Sequence, residues 1–444
     1  MNILTIASHD GTGGAARVAR DLFRACRDRG HGSFMAAGQK DSCDPDVICL
    51  APQGLSSRFE LKNQDELTPA MRRCRAKQLE LGIEDFHFPK SREVLTLGSG
   101  RPDVVHAHNL HRGFFDLGFL PALSRAVPLF LTMHDAWLLS GNCAHSFACE
   151  RWVTGCGHCP DISIYPGLNA DGTAFNWRRK RRIYGASRLF VATPCRWLMD
   201  KVDRSILSGG IVEKRVIHNG LDTSVFQPGS QAAARRRLDL PADALIVLTV
   251  AVGLTRNRWK DYATLREALE ILSGLPLDRD LICLGLGEDA PAQHAGRVEI
   301  RFVPFEKDPA AVAAFYQASD LYVHAAKQDT FPNVVLEALA CGIPVAATAV
   351  GGIPEQVRGL AGALPPEAER GCNLHGPDQA TGLLVPPAAP GLLALALHRL
   401  AQDEALRQRM GENAALDAKR RFDLTRQIDD YLGWYEDVLA RYVP

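Results

Sequence analysis

Neither sign of charge is in excess in this chain: 51 Lys and Arg balance 51 Asp and Glu across 444 residues. With no net field to draw it onto nucleic acid, that class of partner is not expected. Long apolar runs are missing too. The longest, around Ala244–Val252, falls far short of the roughly 20 residues a helix needs to cross a bilayer. No charged-then-apolar leader precedes the first strand-like stretch, which starts at Met1, and a cytoplasmic protein is the expectation. Internal sequence repeats are not evident. What is present is a hydrophobic share of 46%, normal for a globular protein, on a chain too long for one compact core.

Apolar strand-like runs alternate with helical stretches, which predicts parallel sheets built from crossover units. The first set reads Ile3–Ser8, Ser33–Ala37, Val104–His108, Leu129–Thr132, Leu189–Ala192 and Arg215–His218. A turn-rich stretch, Asn219 to Ser230, precedes a second set: Leu245–Ala251, Asp280–Leu284, Val298–Val303, Leu321–His324, Ile343–Ala347 and Gly382–Val385. Two doubly wound α/β domains follow, over 1–222 and 223–422. The first carries a charged helical insertion over about 55–97 and a cysteine-rich loop over 141–160. The tail, 423–444, holds Ile428, Tyr431, Leu432, Tyr435, Val438 and Leu439 at helical spacing.

The stretch Asp329-Thr-Phe-Pro-Asn-Val-Val-Leu-Glu337 sets two carboxylates eight residues apart across a loop-to-helix junction. Asn333 can start the helix, Pro332 cannot lie deep inside one, and Gly342 ends it. Asp329 and Glu337 then flank a helix N-terminus whose free N–H groups attract phosphate. An acid that accepts hydroxyl hydrogen bonds beside an anion site suits a nucleotide-sugar. The segment resembles the acid-x7-acid signature of retaining glycosyltransferases of the GT-B fold, family 4, with Asp329 where Glu is usual. The bland alternative is an amphipathic helix with two solvated acids.

Companion segments stand in the order the resemblance implies. Val252-Gly-Leu-Thr-Arg256-Asn-Arg258-Trp-Lys260 follows a strand, where a basic pair can neutralise a departing diphosphate. Lys260 matches the family's lysine, and Arg256 or Arg258 its arginine. Gly13 and Gly14, between the first strand and helix, lack the spacing of a dinucleotide fingerprint. They resemble instead the family loop lying against the donor phosphates. His134 follows the Leu129–Thr132 strand at the sheet edge where such folds bind ligands, as does the family's sugar-contacting histidine. Asn109 and His111, after the strand ending at His108, are candidates for the acceptor side. Asn219-Gly-Leu-Asp222 resembles the family's Asn-Gly-x-Asp segment entering the linker, where it would serve as hinge or contact, and Val350-Gly-Gly-Ile-Pro-Glu355 has the flexible backbone of another phosphate or sugar loop.

Four cysteines, Cys143, Cys149, Cys156 and Cys159, share one short loop with His145 and His158. That set, closed by a Cys-x-x-Cys turn, suggests a structural zinc, with His145 the substitute if one thiol is free. Disulfides are the alternative, disfavoured in a reducing cytosol. The run Trp177-Arg-Arg-Lys-Arg-Arg182 reads as a solvated helix face, with peripheral contact to anionic lipid at the inner face of the plasma membrane as a weaker role.

The expectation is therefore a GT-B fold of two facing Rossmann-like domains, the last helix crossing back to the first. The resemblance implies a retaining, hexosyltransferase-type enzyme that moves sugar from a nucleoside-diphosphate sugar to a saccharide or lipid-linked saccharide in surface polysaccharide synthesis. His134, Lys260, Arg256 and Asp329 would carry catalysis without a catalytic metal. Gly13, Gly14, Asn333, Val334, Val335 and Glu337 would join in donor binding. A sugar-nucleotide epimerase or phosphorylase on the same plan, or a catalytically silent glycan- or partner-binding module, are the alternatives.

Overall fold

The computed structural model describes residues 1–11, 13–50, 68–98, 100–111, 113–370 and 372–442. The chain forms two compact units, Met1–Ile217 with Ile428–Pro444, and His218–Gln427. These junctions lie five residues from those read in the sequence, before 222 and beyond 422.

In the first unit, β1 (Asn2–His9), β2 (Gly32–Gln39), β3 (Val47–Cys49), β4 (Val104–His108), β5 (Leu129–Thr132), β6 (Leu189–Thr193) and β7 (Ile211–Val216) make one sheet. Its order is β3-β2-β1-β4-β5-β6-β7, parallel throughout. The short edge strand β3 was not anticipated, and β7 begins four residues earlier than its apolar pattern suggested. The central strands are buried on both faces, so they read as apolar runs rather than as alternation. The helix Gly14–Asp28 sets Ala19 and Phe23 against the sheet, where they pack with Ala7, Met35, Ala37 and Val47.

The second unit holds β8 (Leu245–Val250), β9 (Leu281–Leu286), β10 (Gln293–Ala295), β11 (Val298–Val303), β12 (Leu321–His324), β13 (Val345–Thr348), β14 (Gly359–Leu360), β15 (Leu374–His375) and β16 (Gly382–Val385). Their order is β10-β11-β9-β8-β12-β13-β16-β14-β15, and the β10–β11 pair is antiparallel. Val247, Cys283, Val323 and Leu383 pack with Leu265, Leu269 and Leu397 in its core. Each such side chain contributes about 1.5–3 kcal/mol on full burial. In both sheets the winding reverses beside the first strand, between β1 and β4 and between β8 and β12. Ligands of open α/β sheets bind beyond the carboxyl ends at such a point.

The last helix, Leu424–Leu439, straddles the second junction and packs back on the first unit. Trp434 meets Phe130 edge-on at 4.8 Å between ring centroids. Tyr435 Oη lies 2.5 Å from His106 Nδ1, and Tyr431 Oη 2.7 Å from Thr132 Oγ1.

One expectation lies partly outside the described residues, and one needs correction. Residues 55–67 of the helical insertion lie outside the described residues; the remainder is the helix Pro69–Glu80 and a 3-10 stretch, Pro89–Thr96. The basic run is not simply a solvated face, because Trp177 and Lys180 are buried on the helix Thr173–Gly185. Lys180 Nζ stands 3.0 Å from Glu84 Oε2 and donates to the carbonyls of Trp137 and Ser140 at 3.1 Å each. Arg178, Arg181 and Arg182 remain exposed.

Candidate active site

The strongest constellation lies in the second unit, at its switch point. The loop after β8 brings Lys260 back to the end of β12, where it forms an isolated bridge with Ala326. Lys260 Nζ then donates to Asp329 Oδ2 at 2.6 Å and lies 3.1 Å from His324 Nε2. His324 Nε2 is itself 3.3 Å from Asp329 Oδ2, which closes a triangle. Burial would push the Asp329 carboxyl up, but the Lys260 ammonium and the His324 imidazole reverse this and hold it well below the usual range. Burial, then Lys260, lowers His324 to about 4, so this ring is neutral at pH 7.

The loop carrying Asp329 is clamped from behind. Gly351 has φ +59°, and a Cβ there would stand 1.6 Å from the Asp329 carbonyl oxygen. The Gly352 N–H donates to the Thr330 carbonyl at 2.9 Å. The glycine pair after β13, read in the sequence as a sugar or phosphate loop, thus holds the acidic loop through close backbone approach.

The helix Asn333–Ala340 begins directly after Pro332, with no side-chain cap. First-turn N–H groups have no intrahelical acceptor, though Val335 donates to the Pro332 carbonyl at 3.1 Å. Asn333, Val334 and Val335 all stand in this first turn. Asn333 Oδ1 accepts from Asn219 Nδ2 at 3.1 Å, so the Asn219-Gly-Leu-Asp222 stretch braces this helix start. Glu337 is only 4% exposed, with Tyr316 Oη 3.0 Å from its Oε2. Arg256 projects outward instead: its side chain is 86% exposed and 3.9 Å from Glu288 Oε1. Arg258 packs over Trp259. Neither arginine joins the Lys260–Asp329 triangle.

In the first unit, Gly13 has φ +95° and opens the helix Gly14–Asp28 with no side-chain cap. His134 and Asp135 follow β5. His134 Nε2 meets His108 Nδ1 at 3.0 Å, and the two rings stack. Burial lowers His134 to about 4, against the opposing charge of Asp135. Asp135 gathers the other candidates. Its Oδ2 is 2.8 Å from His111 Nε2 and accepts from Asn109 Nδ2 at 3.1 Å, while Oδ1 accepts the Trp137 N–H at 2.9 Å. Tyr165 Oη reaches His111 Nδ1 at 3.3 Å.

Asp135, His108 and His324 were not singled out in the sequence. The signal was available for all three, since each lies at the carboxyl end of a parallel strand, as His134 does.

Cys143, Cys149, Cys156 and Cys159 are free thiols. Among the described residues, no three His, Cys, Asp or Glu side chains gather as a metal would require.

Two family models match the chain: "Glycosyl transferase 4-like domain" over residues 13–220 and "Glycosyl transferases group 1" over 230–417. D-inositol 3-phosphate glycosyltransferase of Acidothermus cellulolyticus is 32% identical over 355 residues, 76% of this chain and 68% of that one. A relative of the same name, numbered 1, from Catenulispora acidiphila is 29% identical, over 60% of either chain. WcaC of Escherichia coli, a glycosyl transferase assigned to colanic acid biosynthesis, is 25% identical over 78% of this chain and 83% of its own. Among solved structures, sucrose-phosphate synthase from Thermosynechococcus elongatus superposes with a TM-score of 0.64 at 20% identity, covering all of both chains. HepE of Anabaena, solved with UDP-glucose, gives 0.58 at 17% identity over 97% of this chain and 99% of its own. These likenesses, two parallel-sheet units and the helix that returns to the first place the chain in the GT-B fold, and it belongs to the group 1, family-4-like glycosyltransferases.

Proposed function

We propose that this glycosyltransferase is a retaining enzyme that uses a nucleoside-diphosphate sugar and serves surface polysaccharide synthesis. The observation that carries the reading is the Lys260–Asp329–His324 triangle beside the uncapped helix start at Asn333. It sets a cation and backbone N–H groups next to a carboxylate at a topological switch point, the arrangement a sugar diphosphate requires. HepE's solved complexes with UDP-glucose support the choice of donor. WcaC and WaaG, described as acting in lipopolysaccharide biosynthesis, support the setting.

In this reading Lys260 stabilises the diphosphate as the glycosidic C–O bond breaks, and the N–H groups of Asn333 and Val334 add to it. Arg256, exposed and held only by the Glu288 carboxylate at 3.9 Å, would swing onto the same oxygens. Asp329 holds sugar hydroxyls and Glu337 the ribose, and Gly13 and Gly14 join in donor binding. The positive charge comes from the protein itself, and no catalytic metal is invoked. The acceptor hydroxyl attacks from the leaving-group face, and its proton passes to the departing phosphate oxygen. His134, neutral, positions the sugar, while Asn109 and His111, held by Asp135, meet the acceptor.

The acceptor is proposed to be a saccharide or lipid-linked saccharide. Phe175, Arg178, Arg181 and Arg182 form an exposed apolar-and-basic face suited to peripheral contact with anionic lipid on the cytoplasmic side. The cysteine loop is proposed to bind structural zinc by drawing its four thiols together on metal uptake, as coupled folding allows. Elemental analysis that finds no zinc in the purified protein would remove that part.

The main test is a panel of sugar-nucleotides screened for thermal stabilisation, followed by product analysis with saccharide and inositol phosphate acceptors. Transfer with retained anomeric configuration is expected. Conversion of the sugar-nucleotide without acceptor would instead indicate an epimerase.

A further inference from the structure

His324 takes no part in the chemistry proposed above, yet it occupies the centre of the site. It closes β12 and is 2% exposed. Its Nε2 edge lies 3.1 Å from the Lys260 ammonium and 3.3 Å from the Asp329 carboxylate. Its Nδ1 edge lies 3.0 Å from Tyr322 Oη, on the same strand and also buried. An apolar residue would fill this volume at the end of a strand without desolvating a polar ring. The imidazole instead spans a cation, an anion and a phenol, and adds an anchor in the sheet to the direct Lys260–Asp329 bond.

The ring carries one proton when neutral. With that proton on Nε2 it donates to Asp329 and accepts from Tyr322; with it on Nδ1 it donates to Tyr322 and accepts from Lys260. Either way one of the two charged groups is fixed by a rigid ring anchored in the sheet. A lysine stem has four rotatable bonds, and ammonium placement to a fraction of an ångström is what a developing phosphate charge rewards.

We infer that His324 is a positioning residue of the donor site, which sets where the Lys260 ammonium and the Asp329 carboxylate stand without itself touching the substrate. The inference rests on the reading of Lys260 and Asp329 as donor-site groups.

The test is a mutant cycle on the full chain: His324→Phe, Asp329→Asn and the double variant, with His324→Gln as the variant that keeps a hydrogen-bonding group. Circular dichroism and thermal melts establish folding, and donor titrations at saturating acceptor separate kcat from KM. His324→Phe is expected to lower kcat/KM by about 10- to 100-fold, and His324→Gln to recover part of that loss. In the Asp329→Asn background, His324→Phe should add less than its single-variant loss, because the two act as one unit. Losses that multiply fully, or a folded His324→Phe enzyme with wild-type kcat/KM, would overturn the inference. If His324→Phe does not fold, His324→Gln takes its place in the cycle, and the same two outcomes overturn the inference. Wild-type turnover in Asp329→Asn alone would be a failure of the donor-site reading, separable from this one.

Discussion

Lys260 Nζ donates to Asp329 Oδ2 at 2.6 Å across 69 residues of chain. The pairing exists because β8 and β12 are neighbours in the second sheet, so the loops that follow them open on the same edge. The ammonium and the carboxylate each meet the other and the His324 ring, and both side chains are largely buried. Removing either leaves a partly buried charge uncompensated, which is costly in itself.

Lys260→Ala is expected to lower kcat/KM for the donor by about 100-fold or more, as loss of a cation aimed at developing charge does. Glu337→Ala should weaken nucleotide binding with a smaller effect on the chemical step. Isothermal titration with the free nucleoside diphosphate, beside steady-state kinetics, distinguishes the two. Near wild-type values for both variants would remove the donor site from this edge.

Stability should fall with acid earlier than carboxylates alone would cause. His106, His134 and His324 have folded values of about 3, about 4 and about 4, against 6.5 when unperturbed. Between pH 6.5 and about 4 the unfolded chain binds protons that the folded chain excludes, so stability declines as pH drops through that window. Asp329 acts lower: its contribution is complete above the ordinary carboxylate range and is lost as pH falls through its depressed folded value. Melting temperature measured from pH 7.5 to 4 should slope downward from about pH 6.5. A flat profile would contradict neutral buried imidazoles.

Gly351→Ala should disturb the active loop more than the fold. The substitution combines φ +59° with a Cβ 1.6 Å from the Asp329 carbonyl, so the acidic loop must move. A backbone strain cost of about 1–3 kcal/mol is expected, with activity falling at least tenfold by the displacement of Asp329. Activity at wild-type level in the folded variant would show that this loop's placement is unimportant.

The returning helix should be essential to the first unit. Trp434→Ala removes a fully buried ring packed on Phe130 and Phe190, a loss of about 3–5 kcal/mol. Differential scanning calorimetry should show the transition of the first unit moving down, while that of the second unit stays in place.

The buried pair behind Trp137 makes a further prediction. Lys180→Met strands the Glu84 carboxylate, which also accepts the Trp137 indole N–H at 2.8 Å, and should destabilise by about 3–5 kcal/mol. Adding Glu84→Gln should restore part of the loss by removing the stranded charge. A double variant less stable than Lys180→Met would show that the two residues do not act as a pair.

How much was legible beforehand depended on whether the signal was local. Strand runs such as Leu245–Val250 were readable because a strand buried on both faces needs apolar residues at successive positions. The short strands β3, β10, β14 and β15 were not, since two or three residues carry no period and their pairing depends on a neighbour already in place. In the basic run, five cationic residues look alike in sequence. Only the fold decides that Lys180 turns inward to Glu84 while Arg178, Arg181 and Arg182 face solvent. The glycines at 351 and 352 looked like a ligand loop, and their use as a close backbone contact needed the position of Asp329.

The sequence by itself determined the two α/β units, the helix start beside Asp329 and the lysine after β8, because periodicity, caps and punctuation act over a few neighbouring residues. Tertiary structure alone decided that Lys260, His324 and Asp329 form one triangle and that Asp135 collects Asn109 and His111. It also decided that Arg256 stands apart. Those relations link strands distant in the chain, and strand order is fixed by the packing of the whole sheet rather than by any segment in it.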